Sequence, residues 1–310
     1  MLSRRNIRIK IMQLLYSNNN GAPAQDAVLR RYDDQIQQSY KLYLFNLATT
    51  AQVSDFAQID KQNRVAKLLP SDADINFYPK LALNELTASI TTSEDFSKEL
   101  LTYDVDTKID ESTIKSVYNE FVKKDAYKTY QDNAETKKED DKAVLLALFK
   151  HCLGNAIFED LVDDRFTNWE DDKSLVVGAV KRTIKALPLE EKTYLQFKPN
   201  DETTKEFGYT LLKTVLDEDK KLLDIIEPNL KNWDADRVAI IDMILLKMAI
   251  AELLNFPSIP TKVTLNEYVE IAKLYSTDKS KDFINGILDR LMKKLESDGQ
   301  ISKEGRGLIE

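Results

Sequence analysis

The sequence predicts an all-α protein, and three observations carry that expectation. Only 8 Gly and 8 Pro punctuate 310 residues, too few breakers for a sheet with many tight turns. Helical spacing is sustained over long stretches, as in Val28, Tyr32, Ile36 and Tyr40, followed by Tyr43, Leu44 and Leu47. The longest apolar segment, Val238 to Leu254, is broken by Asp242, Lys247 and Glu252, which makes it a buried core helix and not a membrane span. A chain of this length is enough for about two domains with a real core.

The first helix is expected between Ser3, a plausible N-cap, and Ser17. At about 100° per residue, Ile7, Ile11, Leu14 and Leu15 share its core side. Arg5, Arg8, Ile9, Met12 and Tyr16 fall on the opposite, solvent side, with Gln13 at the margin. Two readings of that stripe stand together. Ile9, Met12 and Tyr16 pack against a second element while the arginines are solvated, or the guanidinium forks hold phosphate and the ring stacks on a splayed base.

Periodicity resumes at 27–48. Residues 61–80 read as irregular, with Pro70 and Pro79 bracketing Ser71-Asp72-Ala73-Asp74. Further helices are expected at 80–90, 94–102, 111–130 and 143–162, with the charged run Lys137 to Lys142 as a solvated connector or helix start. Near the C-terminus, Thr264 and Glu267 fit a capping box after Pro260. Leu265, Val269 and Ala272 run along one face of that helix, and Asn266 and Glu267 are either buried ties or partner-facing groups, with the structural role assigned to Asn266. In the last helix, positions 283, 284, 287, 288, 291 and 295 form the inward stripe, and Gly286 marks a close helix crossing.

Net charge is -8, which argues against nucleic acid until its distribution is considered. Residues 132–172 carry twelve acidic and five basic side chains, whereas residues 1–25 carry Arg4, Arg5, Arg8 and Lys10 and no acid. Phosphate recognition needs a local patch, and the N-terminus supplies one. The single Cys152 cannot form an internal disulfide, and Arg4, Arg5, Arg8 and Lys10 interrupt the only candidate leader, so a cytoplasmic location is expected.

Catalysis finds little support. His151 and Cys152 stand beside each other with no further His or Cys to complete a zinc site, and they read as part of a core helix. No phosphate-cradling glycine fingerprint is present. The acidic pairs Asp163-Asp164 and Asp171-Asp172 read as solvated helix ends. No enzymatic activity, cofactor or metal is expected.

Two groups of residues carry a resemblance. Arg4, Arg5, Arg8, Gln13, Leu15 and Tyr16 follow the pattern R-R-x-x-R then Q-x-L-Y. The strings from Arg237 to Leu254, from Ile259 to Lys273 with Asn266-Glu267, and from Phe283 to Asp289 with Asn285-Gly286 follow a second pattern, and family-like sequence begins at Phe207. Both resemble the NusB family of bacterial transcription antitermination factors. The resemblance implies a NusB-like helical bundle, with N-terminal helices at 1–60, an inserted helical segment at 61–205, C-terminal helices at 206–296 and a flexible tail at 297–310. It implies an RNA-binding factor that pairs with the ribosomal protein NusE, holds boxA-type single-stranded RNA and joins the RNA polymerase elongation complex, with no membrane association. The RNA surface it implies is Arg4, Arg5, Arg8, Gln13, Tyr16, Tyr275, Lys279 and Phe283, and the NusE side includes Asp242 and Lys247. Where the family has E-D-S this chain has Asp278-Lys279-Ser280, so an acidic contact has become basic.

The inserted segment reads as holding a partial copy of the core at 148–187. Leu148-Phe149-Lys150 parallels Leu211-Leu212-Lys213, and Asn168-Trp169 parallels Asn232-Trp233, the only two tryptophans. Two alternatives in function remain open. One is a helical protein-interaction adaptor. The other is an RNA-binding module related to the N-terminal domains of ribosomal RNA cytosine methyltransferases, which carry a Rossmann-like domain after it, where this sequence has a polar tail ending at Glu310.

Overall fold

The structure is a computed structural model that describes residues 1–19, 21, 24–230 and 238–308. Among these residues there are sixteen α-helices and no strand, so the all-α expectation holds. None of the helices is long and apolar enough to cross a membrane. The chain divides into two compact units. A terminal unit comprises Leu2–Ile36 and Pro199–Glu310, and a central unit comprises Gln37–Lys198 together with Met1. The expected insert limits at 61 and 205 fall inside helices, the first within α2 (Gln25–Val65) and the second within a π-helical turn (Glu202–Tyr209).

The terminal unit contains α1 (Arg4–Ser17), the start of α2, the π-helical turn, α12 (Thr210–Asp217), α13 (Asp219–Ile226), α14 (Ile240–Asn255), α15 (Thr261–Tyr275) and α16 (Ser280–Ser297). Helix α1 starts where the sequence predicts, because the Ser3 hydroxyl accepts from Asn6 N–H while the Asn6 side chain accepts from Ser3 N–H. Helix α14 carries the core: Leu245, Leu246, Met248, Ala249, Ile250 and Ala251 are all buried. The inward stripe of α16 holds at Ile284, Ile287, Leu288, Leu291 and Leu295.

The central unit contains the rest of α2 and α3 (Asp72–Ile75), α4 (Glu85–Thr91), α5 (Glu94–Thr102), α6 (Glu111–Phe121), α7 (Asp125–Asp132), α8 (Lys138–Cys152), α9 (Ala156–Arg165), α10 (Trp169–Ala186) and α11 (Glu191–Leu195). Its core is rich in rings, with Tyr43, Phe45, Tyr118, Phe149 and Trp169 fully buried. Helix α2 continues well past 48, because Ala51, Val53, Phe56 and Ala57 keep the inward spacing until the approach to Pro70. The expected helix at 111–130 is two helices. A turn after Phe121 lets Tyr127 fold back edge-on against Phe121, with ring centres 5.8 Å apart. The expected helix at 143–162 is also two, because Asn155 caps α9 by accepting from Phe158 N–H. The charged run begins α8, with Glu139, Asp140 and Asp141 in its first turn, where carboxylates complement the helix dipole.

Helices α8, α9 and α10 follow the same order in the chain as α12, α13 and α14. Trp169 opens α10 and is fully buried, while Trp233 lies outside the described residues. Asp172 is not a solvated end. It is buried in the first turn of α10 and accepts from Ser39 Oγ at 2.7 Å and Asn168 Nδ2 at 2.6 Å. Asp163 and Asp164 are exposed, but in the last turn of α9 and not at an N-terminus.

Candidate nucleic-acid interface

The solvent stripe expected on α1 is only partly present. Arg5 and Tyr16 are exposed, but Arg8 and Met12 are buried with Ile7, Ile11 and Leu14. The reason is that α1 is packed on more than one side. It lies against α14 and against the π-helical turn at once. A Cβ on Gly208 would come 2.5 Å from Ile7 Cγ2 and 1.9 Å from Tyr32 Oη, so only glycine permits this approach. The Tyr32 hydroxyl completes the junction by donating to the Thr204 carbonyl at 2.7 Å.

Arg8 enters this junction as half of a buried ion pair. Its Nε donates to Glu252 Oε2 at 2.8 Å and its Nη2 to Oε1 at 2.6 Å. Thr264 Oγ1 donates to Oε1 at 2.8 Å and Tyr268 Oη to Oε2 at 3.0 Å, so both carboxylate oxygens receive two bonds. The Phe207 ring covers the guanidinium, 5.0 Å from its centroid. Burial alone works against the Arg8 charge, but the Glu252 hydrogen bonds and charge outweigh it and hold the group protonated more firmly than usual. A buried charge is tolerated only when it is paired and saturated with hydrogen bonds in this way. Three helices, α1, α14 and α15, are thereby tied at one point.

Arg5 lies at the surface, its side chain 48% exposed, and grips Glu267 with two bonds, Nε to Oε2 at 2.8 Å and Nη2 to Oε1 at 2.6 Å. The Arg5 bonds push the Glu267 carboxyl below its usual range despite partial burial. Arg8 Nη1 also reaches Glu267 Oε2 at 3.4 Å. Arg4 donates to Glu202 at 3.1 Å. Ser3, Arg4, Arg5, Arg8, Ile259, Val263 and Glu267 line a cleft of about 470 Å³.

The remaining expected RNA residues gather at the other end of α1. Helix α1 runs antiparallel to α14, since Arg8 meets Glu252 while Leu15 lines the same groove as Met243 and Ile244. The start of α14 is in turn tied to the turn between α15 and α16 through Asp242, which accepts from Ser276 Oγ at 2.6 Å and Ser280 Oγ at 2.7 Å. Tyr16, exposed Tyr275, exposed Lys279 and half-buried Phe283 therefore belong to one end of the unit, and Gln13 is half-buried one turn before Tyr16. Arg5 is eleven residues from Tyr16, about 16 Å along the helix axis.

Several expectations are corrected here. Asp242, expected to face a partner, is buried and its two oxygens are occupied by serines, because an acid in the first turn of α14 secures the neighbouring interhelix turn. Lys247 pairs with Asp219 and is mostly covered. With Leu15, Val28 and Met243 they border a groove of about 570 Å³. Thr264 and Glu267 form no capping box, since α15 begins already at Thr261 and both residues sit past its first turn. Asn266 is exposed, and Glu267 provides the tie instead. A Cβ on Gly286 would meet nothing within 4 Å, so no helix crosses there. Glu252 and Phe207 were missed as site residues. The signal for Glu252 was present, an acid inside the run Ala249 to Leu254.

His151 and Cys152 sit in α8. The His151 ring nitrogen meets the Val117 carbonyl at 3.1 Å, and burial lowers its pKa. Burial pushes the Cys152 thiol up to about 12. Among the described residues, no three His, Cys, Asp or Glu side chains form a metal-holding group.

Fold and site together define a class: an all-helical bundle whose arginine-bearing first helix is clamped by carboxylates from the C-terminal helices. Residues 172–293 match the model of the NusB family. The transcription antitermination protein NusB of Salinibacter ruber is 42% identical over 109 residues, 35% of this chain and 68% of that protein. The NusB protein of Chloroherpeton thalassium is 42% identical over 110 residues, 36% of this chain and 52% of its own length. That of Natranaerobius thermophilus is 42% identical over 92 residues, 28% of this chain and 66% of its length. The chain belongs to the NusB family. It spans between about half and two thirds of these relatives' lengths. The family match includes Glu252, Glu267, Tyr268, Tyr275, Lys279 and Phe283 and leaves out α1.

Proposed function

We propose that this chain is an RNA-binding transcription antitermination factor of the cytoplasm, with no catalytic activity. In this reading it holds boxA-type single-stranded RNA, pairs with the ribosomal protein NusE and joins the RNA polymerase elongation complex. The observation that carries it is the pair of surface guanidiniums, Arg4 and Arg5, on the helix that ends in exposed Tyr16, within a NusB-family bundle. Arg4 and Arg5 bind phosphate oxygens. Tyr16, Tyr275 and Phe283 offer rings to unstacked bases, with Gln13 and Lys279 beside them. Arg8 contributes by fixing α1 from within. The groove bordered by Lys247 is the proposed NusE side, with Asp242 anchoring the start of α14, whose Ile240, Met243 and Ile244 line it. The acid-rich central residues take no part in phosphate contact.

The test is a double variant, Arg4→Ala with Arg5→Ala, which leaves the buried Arg8 pair intact. Circular dichroism should be unchanged, because both side chains are at the surface. Affinity for a short boxA-type RNA should fall by about tenfold or more, equivalent to roughly 1.4 kcal/mol. NusE binding should persist. Unchanged RNA affinity would move the RNA site away from α1.

A further inference from the structure

We propose that Glu267 and Glu202 are built-in stand-ins for RNA phosphates: they hold the Arg5 and Arg4 guanidiniums in place in the free protein and hand them over when a single strand binds. The inference rests on the RNA reading of α1 given above. Its basis is geometric. Arg5 meets Glu267 through two parallel N–H···O bonds, the fork-to-fork arrangement a guanidinium also makes with phosphate oxygens. Arg4 makes the corresponding single contact with Glu202.

Exposure separates these pairs from the one beneath. The Arg8 and Glu252 side chains are 3% and 0% exposed, so that pair cannot exchange. Arg5 and Arg4 are 48% and 36% exposed, with Glu267 at 19% and Glu202 at 70%, so both guanidiniums are open to solvent and can be traded, most freely at the Arg4 pair. Glu267 also has a second cationic neighbour. When Arg5 leaves, Arg8 Nη1 remains 3.4 Å from Oε2, so the carboxylate is not stranded. Holding Arg5 by two bonds in advance spares part of the side-chain entropy that an unrestrained arginine loses on binding.

The exchange has a measurable signature. A displaced carboxylate stays in the same patch, so an arginine that moves from Glu267 to a phosphate brings little net positive charge to the RNA. The salt dependence of binding therefore reports fewer neutralised phosphates than there are arginines. Replacing the carboxylate by its neutral amide restores the missing charge.

Binding of a fluorescein-labelled boxA-type single-stranded RNA to the full chain, measured by anisotropy between about 50 and 200 mM salt, tests this. Glu267→Gln should tighten binding by severalfold at the low-salt end. The slope of log affinity against log salt should steepen by about 0.7, the value for one further phosphate on a single strand. In an Arg5→Ala background, Glu267→Gln should lose most of that gain, because the coupling belongs to the pair. Glu202→Gln with and without Arg4→Ala gives the same cycle at a pair whose members are both exposed, which keeps the test intact if Glu267→Gln fails to fold. Loss of affinity in Arg5→Ala without any gain in either glutamine variant overturns the exchange and leaves the RNA reading standing. An equal gain in the presence and absence of the arginine also overturns it, since the carboxylate would then act only through its charge at a distance. No effect of Arg5→Ala or Arg4→Ala removes the RNA reading and this inference together.

Discussion

The two units differ in the charge they bury: both bury carboxylates and hydroxyls, but only the terminal unit buries cations among the described residues. In the terminal unit Arg8, Lys10, Asp242 and Glu252 are buried, and Arg8 and Lys10 are the only buried cations among the described residues. In the central unit the buried groups are mainly hydroxyls and amides among rings, as where Tyr43 and Thr183 share a hydrogen bond at 2.7 Å. Rings fill space without requiring a particular orientation of charge. A buried ion pair with every lone pair occupied admits one arrangement of the three helices that supply it. The difference assigns rigidity of register to the unit that presents Arg4 and Arg5, and bulk packing to the other.

Breaking the ion pair should have the largest effect. Glu252→Ala leaves buried Arg8 with only the longer 3.4 Å contact to Glu267 and removes the acceptor used by Thr264 and Tyr268. The expected loss is about 3–5 kcal/mol in urea unfolding. Thr183→Val in the central unit strips only a neutral hydroxyl from Tyr43 and should cost about 1–3 kcal/mol. Equal losses would erase the contrast between the units.

Gly208→Ala comes next. The added Cβ would collide with Tyr32 Oη and Ile7 Cγ2, so α1 or Tyr32 must shift. Overpacking of this kind costs about 1–3 kcal/mol. RNA affinity should fall with stability, because α1 carries both Arg5 and Tyr16. A variant that loses stability while keeping full RNA affinity would separate the α1 junction from the binding surface.

Much of the fold was legible from spacing and caps. Ser3, the α5 span at 94–102 and the inward stripe of α16 are local signals, and they hold. What failed depended on partners. A helical wheel assigns α1 one buried side, yet α1 is covered by both α14 and the π-helical turn, so Arg8 and Met12 went inside. The π-helical turn itself, where Phe207 and Gly208 meet α1, has no sequence signature comparable to a proline or a cap. Glu252 was visible as an acid in an apolar run, but its partner is 244 residues away in sequence and no local rule pairs it with Arg8. The site was therefore legible as a set of arginines, and illegible as a set of pairs.

The smallest expected effect tests the same limit from the other side. Gly178 lies inside α10 of the central unit and Gly286 inside α16 of the terminal unit, and an added Cβ at either position would meet nothing within 4 Å. Sequence alone assigns Gly286 to a close helix crossing, but it is exposed. Glycine in a helix interior costs roughly 0.5–1 kcal/mol relative to alanine, because it loses more backbone freedom on folding. Gly178→Ala and Gly286→Ala should each raise the unfolding free energy by that amount, read as a higher urea midpoint with an unchanged slope, so the gain is in stability and not in the surface exposed on unfolding. A gain at Gly178 paired with a loss at Gly286 would mean that the α16 face is covered in solution, by a second chain or a bound partner, and the terminal unit would then differ from the central one in its surface as well as its core.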